Sequence, residues 1–148
     1  MAQLIKVESE AQIKSSPSKF YDFFKNNMSQ LVNIFPEKFE SVQLLEGTDG
    51  CVGNVKLFKM LMGSQTVTMK VRAEELNDEE RIIIYDAFEG DHMKLYNSLK
   101  SIITVRINGS VKWGIEVEKA KDSAPNPDRY LTFSIESAKA VDAHLLNH

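Results

Sequence analysis

Few side chains of this chain are of a type and spacing that could do chemistry. Lys56, Lys70 and Lys100 lie in strand-like runs. An amine buried in a cavity has its pKa lowered and can act as a general base, so their use depends on which face of the strand they occupy. Glu89 and Asp91 sit close together, with Asp86 just before them. Paired carboxylates do acid–base work only where their surroundings push their pKa values apart, and on a turn they are expected to be solvated. His144 and His148 have the spacing of metal ligands on a helix. No acidic third ligand is near, and a frayed, solvated terminus is expected. His92, beside Asp91, reads as an exposed loop histidine. Gly47, Gly50 and Gly53 precede a strand, whereas a phosphate loop opens a helix. No Gly-Lys-Ser/Thr follows, so they are expected to form a hairpin turn.

No reaction follows from these residues. Tyr85 and Tyr130 join an apolar body to a hydroxyl that could orient a ligand. Methionine at positions 28, 60, 62, 69 and 93 suits a permissive apolar site and equally a core.

The composition narrows the class. The 148 residues are 43% hydrophobic and 26% charged, which fits one domain, 1–148, with an ordinary globular core. The net charge of -3 argues against a nucleic-acid partner, which needs a basic face. Cys51, the single cysteine, excludes an intramolecular disulfide and a cysteine-cluster zinc site. The N-terminus alternates from the start, and no run approaches the ~20 apolar residues of a membrane span. The expected setting is therefore the cytosol, with no membrane insertion and no cofactor, as a monomer or weak dimer.

Residues 3–13 alternate as a half-buried strand, with Ile5, Val7, Ser9, Ala11 and Ile13 on one side. Ser15 to Ser18, with Pro17, starts a helix carrying Phe20, Phe23 and Phe24. Asn26-Asn27 interrupts it, and a second short helix over 28–35 buries Leu31, Ile34 and Phe35 before Pro36. Six strand-like runs follow at 38–46, 52–62, 65–76, 81–88, 93–107 and 110–119, separated by turn signals that include Asn108-Gly109. On 93–107, Leu95, Leu99, Ile103, Val105 and Ile107 share a face with Asn97 and Ser101. On 110–119, Val111, Trp113, Ile115 and Val117 face one way. A polar linker, 119–126, leads to one long helix over 127–146.

The order predicts α+β with a seven-stranded, mostly antiparallel sheet. At ~4.8 Å per strand, such a sheet is about 30 Å wide, while one helix is only about 10–12 Å across. The sheet must curl around the helix, and the short helices must plug one end. A cavity is left unless large side chains fill it. Its inward candidates include Ser9, Ala11, Asn97, Ser101, Ser134 and Ser137, giving an apolar wall with a few polar handles.

Three segments carry a resemblance. Ala87-Phe-Glu-Gly-Asp-His-Met-Lys-Leu-Tyr96, Val111-Lys-Trp-Gly-Ile-Glu-Val-Glu-Lys119 and Pro127-Asp-Arg-Tyr-Leu-Thr-Phe133 resemble the signature segments of plant major latex proteins. These belong to the superfamily of the birch pollen allergen and the pathogenesis-related class-ten proteins, which is START-like. The resemblance implies a helix-grip fold, in which a curved seven-stranded antiparallel sheet grips a long C-terminal helix over two short ones. It implies a large cavity for small hydrophobic or amphipathic molecules of steroid, fatty acid, flavonoid, hormone or alkaloid class, in plant defence and stress. By the same resemblance Tyr85, Phe58 and Met60 match cavity-facing positions. Phe24, Met69, Leu99, Ser101, Trp113, Phe133 and Ser137 complete the expected lining. The function implied is a cytosolic binding protein. The alternative is an enzyme of specialised metabolism, an isomerase or condensing enzyme, using the same cavity with a buried lysine as base. A third reading, a receptor whose loops close on a partner protein, needs a gate motif at Gly63-Ser64 or 88–92, and none is present.

Overall fold

The computed structural model describes residues 4–147. Strand β1 (Leu4–Gln12) leads into helix α1 (Pro17–Asn26), a 3₁₀ turn at Met28–Gln30 and the single-turn helix α2 (Leu31–Ile34). Strands β2 (Phe39–Glu46), β3 (Val55–Met62), β4 (Gln65–Asn77) and β5 (Ile82–Gly90) follow. After a second 3₁₀ turn (Asp91–Lys94) come β6 (Tyr96–Val105), β7 (Ser110–Lys119) and helix α3 (Asp128–Leu146). The seven strands form one antiparallel sheet in the order β1-β7-β6-β5-β4-β3-β2.

Local chemistry accounts for the main boundaries. Ser16 caps α1 by accepting from the Lys19 N–H at 3.3 Å, and Pro17 occupies the first turn, where a missing N–H costs nothing. Asn108-Gly109 makes the β6–β7 hairpin, with Gly109 at φ +89°. Register shifts in β2 and between β4 and β5 mark bulges, which bend and twist a sheet. The curved sheet faces α3, whose Leu131, Phe133, Ser137, Ala138 and Val141 are buried.

Polar clamps fix α3 in place. The Asp142 carboxylate accepts from the backbone N–H groups of Lys14 and Ser15 and from the Ser15 hydroxyl, tying the β1–α1 junction to the helix. Lys38 pairs with Glu136 at 3.0 Å, holding the start of β2. The Tyr96 hydroxyl donates to the Pro125 carbonyl and anchors the linker before α3. At the other end of the sheet, Tyr21 and Lys25 both reach Asp78, binding α1 to the β4–β5 turn.

Several expectations need correction. Residues 93–107 are not one continuous strand, because 91–94 form a 3₁₀ turn and a register shift lies between Tyr96 and Ser98. That shift buries Tyr96 and Leu99 while turning Asn97 outward, so Asn97 is not an inward residue. Ile107 is 84% exposed, at the hairpin tip rather than on the inner face. The run 52–62 becomes a strand only at Val55, since 51–53 belong to the glycine loop. The helix expected over 28–35 is a 3₁₀ turn plus one α-turn, with Leu31 buried and Ile34 and Phe35 half-buried.

Candidate ligand pocket

The inner faces of the sheet strands, α1 and α3 meet around a pocket of about 100 Å³. Alternation on β3 brings Phe58, Met60 and Met62 to its wall, and β4 adds Met69. Tyr85 comes from β5, Leu99 and Ser101 from β6, Trp113 from β7, and Phe133 and Ser137 from α3. Phe24 of α1 stands edge-on to Trp113, with ring centroids 5.2 Å apart, and closes one end. All ten residues expected to line a cavity therefore surround this space.

Sequence reasoning left out Met28, Leu31, Phe39, Val71, Ile103 and Ile115, which also contribute. Period-two alternation already puts Ile103 on the face of Leu99 and Ile115 on that of Trp113, and along β4 it could have found Val71 beside Met69. Ser134 and Tyr130 join the wall as well, whereas Ser9 and Ala11 are half-buried outside it. The space is much smaller than the large cavity expected, and methionine and aromatic side chains make up much of its wall.

The polar groups of the wall are mostly spoken for. The Tyr85 hydroxyl donates to the Phe24 carbonyl. Burial pushes its pKa up, with the Asp49 and Tyr21 charges adding to the effect, so Tyr85 is a neutral phenol. Ser137 donates to the Phe133 carbonyl at 2.8 Å, and Ser134 to the Tyr130 carbonyl at 2.9 Å. The indole N–H of Trp113 is buried without an acceptor.

None of the three lysines considered as a base is a free amine. Lys56 is in phase with Phe58 and Met60, points inward and is 2% exposed. Its ammonium meets Asp49 at 2.7 Å and the Asn54 side-chain oxygen at 2.8 Å, so it anchors the glycine loop. Lys70 pairs with Glu89 and Lys100 with Glu74, each at 2.9 Å.

Glu89 and Asp91 are engaged separately rather than as a pair. The Thr68 N–H donates to Asp91 at 2.8 Å and, despite some burial, holds its carboxyl below the usual range with help from the Thr68 hydroxyl. No cluster of three His, Cys, Asp or Glu side chains suited to a metal occurs among the described residues, and His148 lies outside them.

His92 overturns its expectation. It is fully buried, with Nε2 2.7 Å from the Ala87 carbonyl, which places the proton on that nitrogen. Nδ1 has no partner. Burial lowers its pKa, opposed by the Ala87 hydrogen bond and by the Asp86 and Asp91 charges. A second recess of about 430 Å³ lies beside this turn, between the start of β4 and the first turn of α3. Tyr130 borders both spaces.

A curved seven-stranded antiparallel sheet gripping one long helix, with an apolar pocket between them, defines the helix-grip class. Residues 2–148 match the family model described as the pathogenesis-related protein Bet v 1 family, and the chain belongs to that family. MLP-like protein 31 of Arabidopsis thaliana is 32% identical over 96% of this chain and 86% of that protein. The crystal structure of major latex-like protein 151 from Panax ginseng superposes with a TM-score of 0.93 at 25% identity, covering 97% of this chain and 98% of that one. Norcoclaurine synthase from Thalictrum flavum shares the fold, with a TM-score of 0.81 at 17% identity over 99% of this chain and 89% of that chain.

Proposed function

We propose that this protein binds small hydrophobic or amphipathic molecules in the pocket between sheet and α3, without catalysing their conversion. The observation that carries this reading is the wall itself: apolar on all sides, with a few hydroxyls and one indole N–H, and no free acid or base. Such a surface gains affinity from apolar burial, at about 25 cal/mol per Å² before ordering costs, and orients a ligand through few polar contacts. The enzyme reading loses its base, since Lys56, the one inward lysine of the three, is held by Asp49 and Asn54 outside the pocket wall.

The setting we infer is the plant cytosol, in defence or stress. The pathogenesis-related family supports it, as does the single cysteine. Among the described residues, no helix is long and apolar enough to cross a membrane.

The test is native mass spectrometry of the purified protein with a panel of steroids, fatty acids, flavonoids, cytokinins and alkaloids. Stoichiometric adducts that also raise the melting temperature are expected. A panel member converted to a new mass would give first place to the enzyme reading. The absence of both adducts and conversion would sink the binding reading.

A further inference from the structure

One polar side chain of the pocket wall points inward, stays open and has no partner. Ser101 lies on β6, a central strand, between Leu99 and Ile103, which are 2% and 1% exposed. Its cross-strand neighbours are Tyr85 of β5 and Ile115 of β7, both buried and both on the wall. A side chain in phase with these four faces the inside of the sheet. Ser101 is nevertheless only half-buried, so its exposure is to the pocket itself. Its hydroxyl has no hydrogen-bond partner among the described residues and, unlike the Trp113 indole nitrogen, is not closed off from solvent.

The other hydroxyls of the wall differ. Those of Tyr85, Ser134 and Ser137 are committed to the carbonyls of Phe24, Tyr130 and Phe133. Tyr130 keeps a free hydroxyl, but it stands on the boundary with the outer recess. No charged side chain lines the pocket among the described residues. A carboxylate or ammonium group entering it would give up its water with no opposite charge in return. A hydrocarbon covering Ser101 would leave that hydroxyl without a partner, whereas an uncharged oxygen would replace the water it loses.

We propose that Ser101 is the polar anchor of the pocket, and that it selects uncharged apolar molecules carrying an alcohol or carbonyl oxygen, directed at the middle of the sheet. This rests on the binding reading above and names its ligand chemistry. Apolar contact supplies affinity, and the Ser101 hydroxyl, which can donate or accept, fixes orientation.

Benzyl alcohol, ethylbenzene and benzoate test this at about pH 7.5. The first two are equal in heavy-atom count and differ by a hydroxyl in place of a methyl; benzoate brings a charge. In Ser101→Ala, the benzyl alcohol to ethylbenzene Kd ratio, read by ¹H–¹⁵N titration, is expected to rise about fivefold, the worth of one neutral hydrogen bond. Benzoate is expected to bind the wild type more than about tenfold more weakly than benzyl alcohol. The urea midpoint of the variant is expected not to fall, because the hydroxyl holds no protein group. Where a larger uncharged alcohol or ketone of the panel binds instead of the probes, its Kd is expected to show the same rise in Ser101→Ala.

An unchanged ratio in the variant, or a lowered urea midpoint, would overturn the role of Ser101. Benzoate binding as tightly as benzyl alcohol would overturn the restriction to uncharged ligands. Failure of every uncharged molecule, while a fatty acid binds, would overturn the proposed class and leave the binding reading standing. Failure of every probe and every panel member would overturn both.

Discussion

Lowering the pH should loosen this protein through one histidine. His92 is fully buried, and its protonated form would place a second N–H on Nδ1, where no acceptor lies. Burial holds its folded pKa below the usual value near 6.5, which is also its value in the unfolded chain. The unfolded state therefore takes up a proton first as pH falls. The stability that neutral His92 contributes is fully present above about 6.5 and is lost below it, at up to about 1.4 kcal/mol per pH unit, until the folded pKa is reached. Asp86 and Asp91 are the charged groups that oppose the shift, and Ala87 supplies the carbonyl that orients the ring. Urea denaturation between about pH 7.5 and 5 measures this directly. His92→Gln keeps an amide donor within reach of Ala87 and cannot titrate, so its stability should be nearly flat across that window. A wild type as flat as the variant, or a variant as steep as the wild type, would refute the argument. The second outcome would assign the proton uptake to another group.

Three further outcomes follow from particular contacts. Tyr85→Phe leaves the Phe24 carbonyl unpaired and should cost about 1–2 kcal/mol in chemical denaturation; it should also weaken phenolic ligands more than purely apolar ones, since Tyr85 can only accept from a ligand. Equal losses for both ligand types would count against that. Gly90→Ala drives a Cβ into the Thr68 carbonyl oxygen at φ +141°, where backbone must move, so the melting temperature should drop by several degrees, the effect of more than about 1 kcal/mol. Asp142→Ala strips the acceptor from the Lys14 and Ser15 N–H groups and the Ser15 hydroxyl, with an expected loss of about 2–3 kcal/mol; an unchanged urea midpoint would show that water replaces the clamp.

Much of the architecture was legible because its signals are local. Alternation on 110–119 gave β7 its inner face, Asn108-Gly109 gave the hairpin, and Ser16 with Pro17 gave the start of α1. The same periodicity, aided by family resemblance, led to ten of the residues that surround the pocket. What failed was non-local. One bulge at Tyr96/Ser98 reversed the phase of Asn97, as a one-residue slip must. The burial of His92 depends on how the 91–94 turn packs on β4, β5 and β6, which no pattern within Glu89–Met93 reveals. Lys56 was in phase with Phe58 and Met60, so its inward direction was readable, but its partner Asp49 arrives from across the glycine loop. The pocket's volume depends on how side chains from ten segments interlock, and polarity patterns carry no information about that.

The central claim is that a small apolar molecule enters the space between sheet and α3. The chain has six methionines, and Met28, Met60, Met62 and Met69 line that space while Met93 lies on the exposed 91–94 side of the fold. Methyl ¹H–¹³C spectra of methionine-labelled protein, titrated with a panel ligand that gives an adduct, read all of these positions at once. The account requires the four lining methyls to shift together and saturably while Met93 stays in place. Shifts confined to Met93, or none in the four at saturation, would contradict it and put the ligand on the surface.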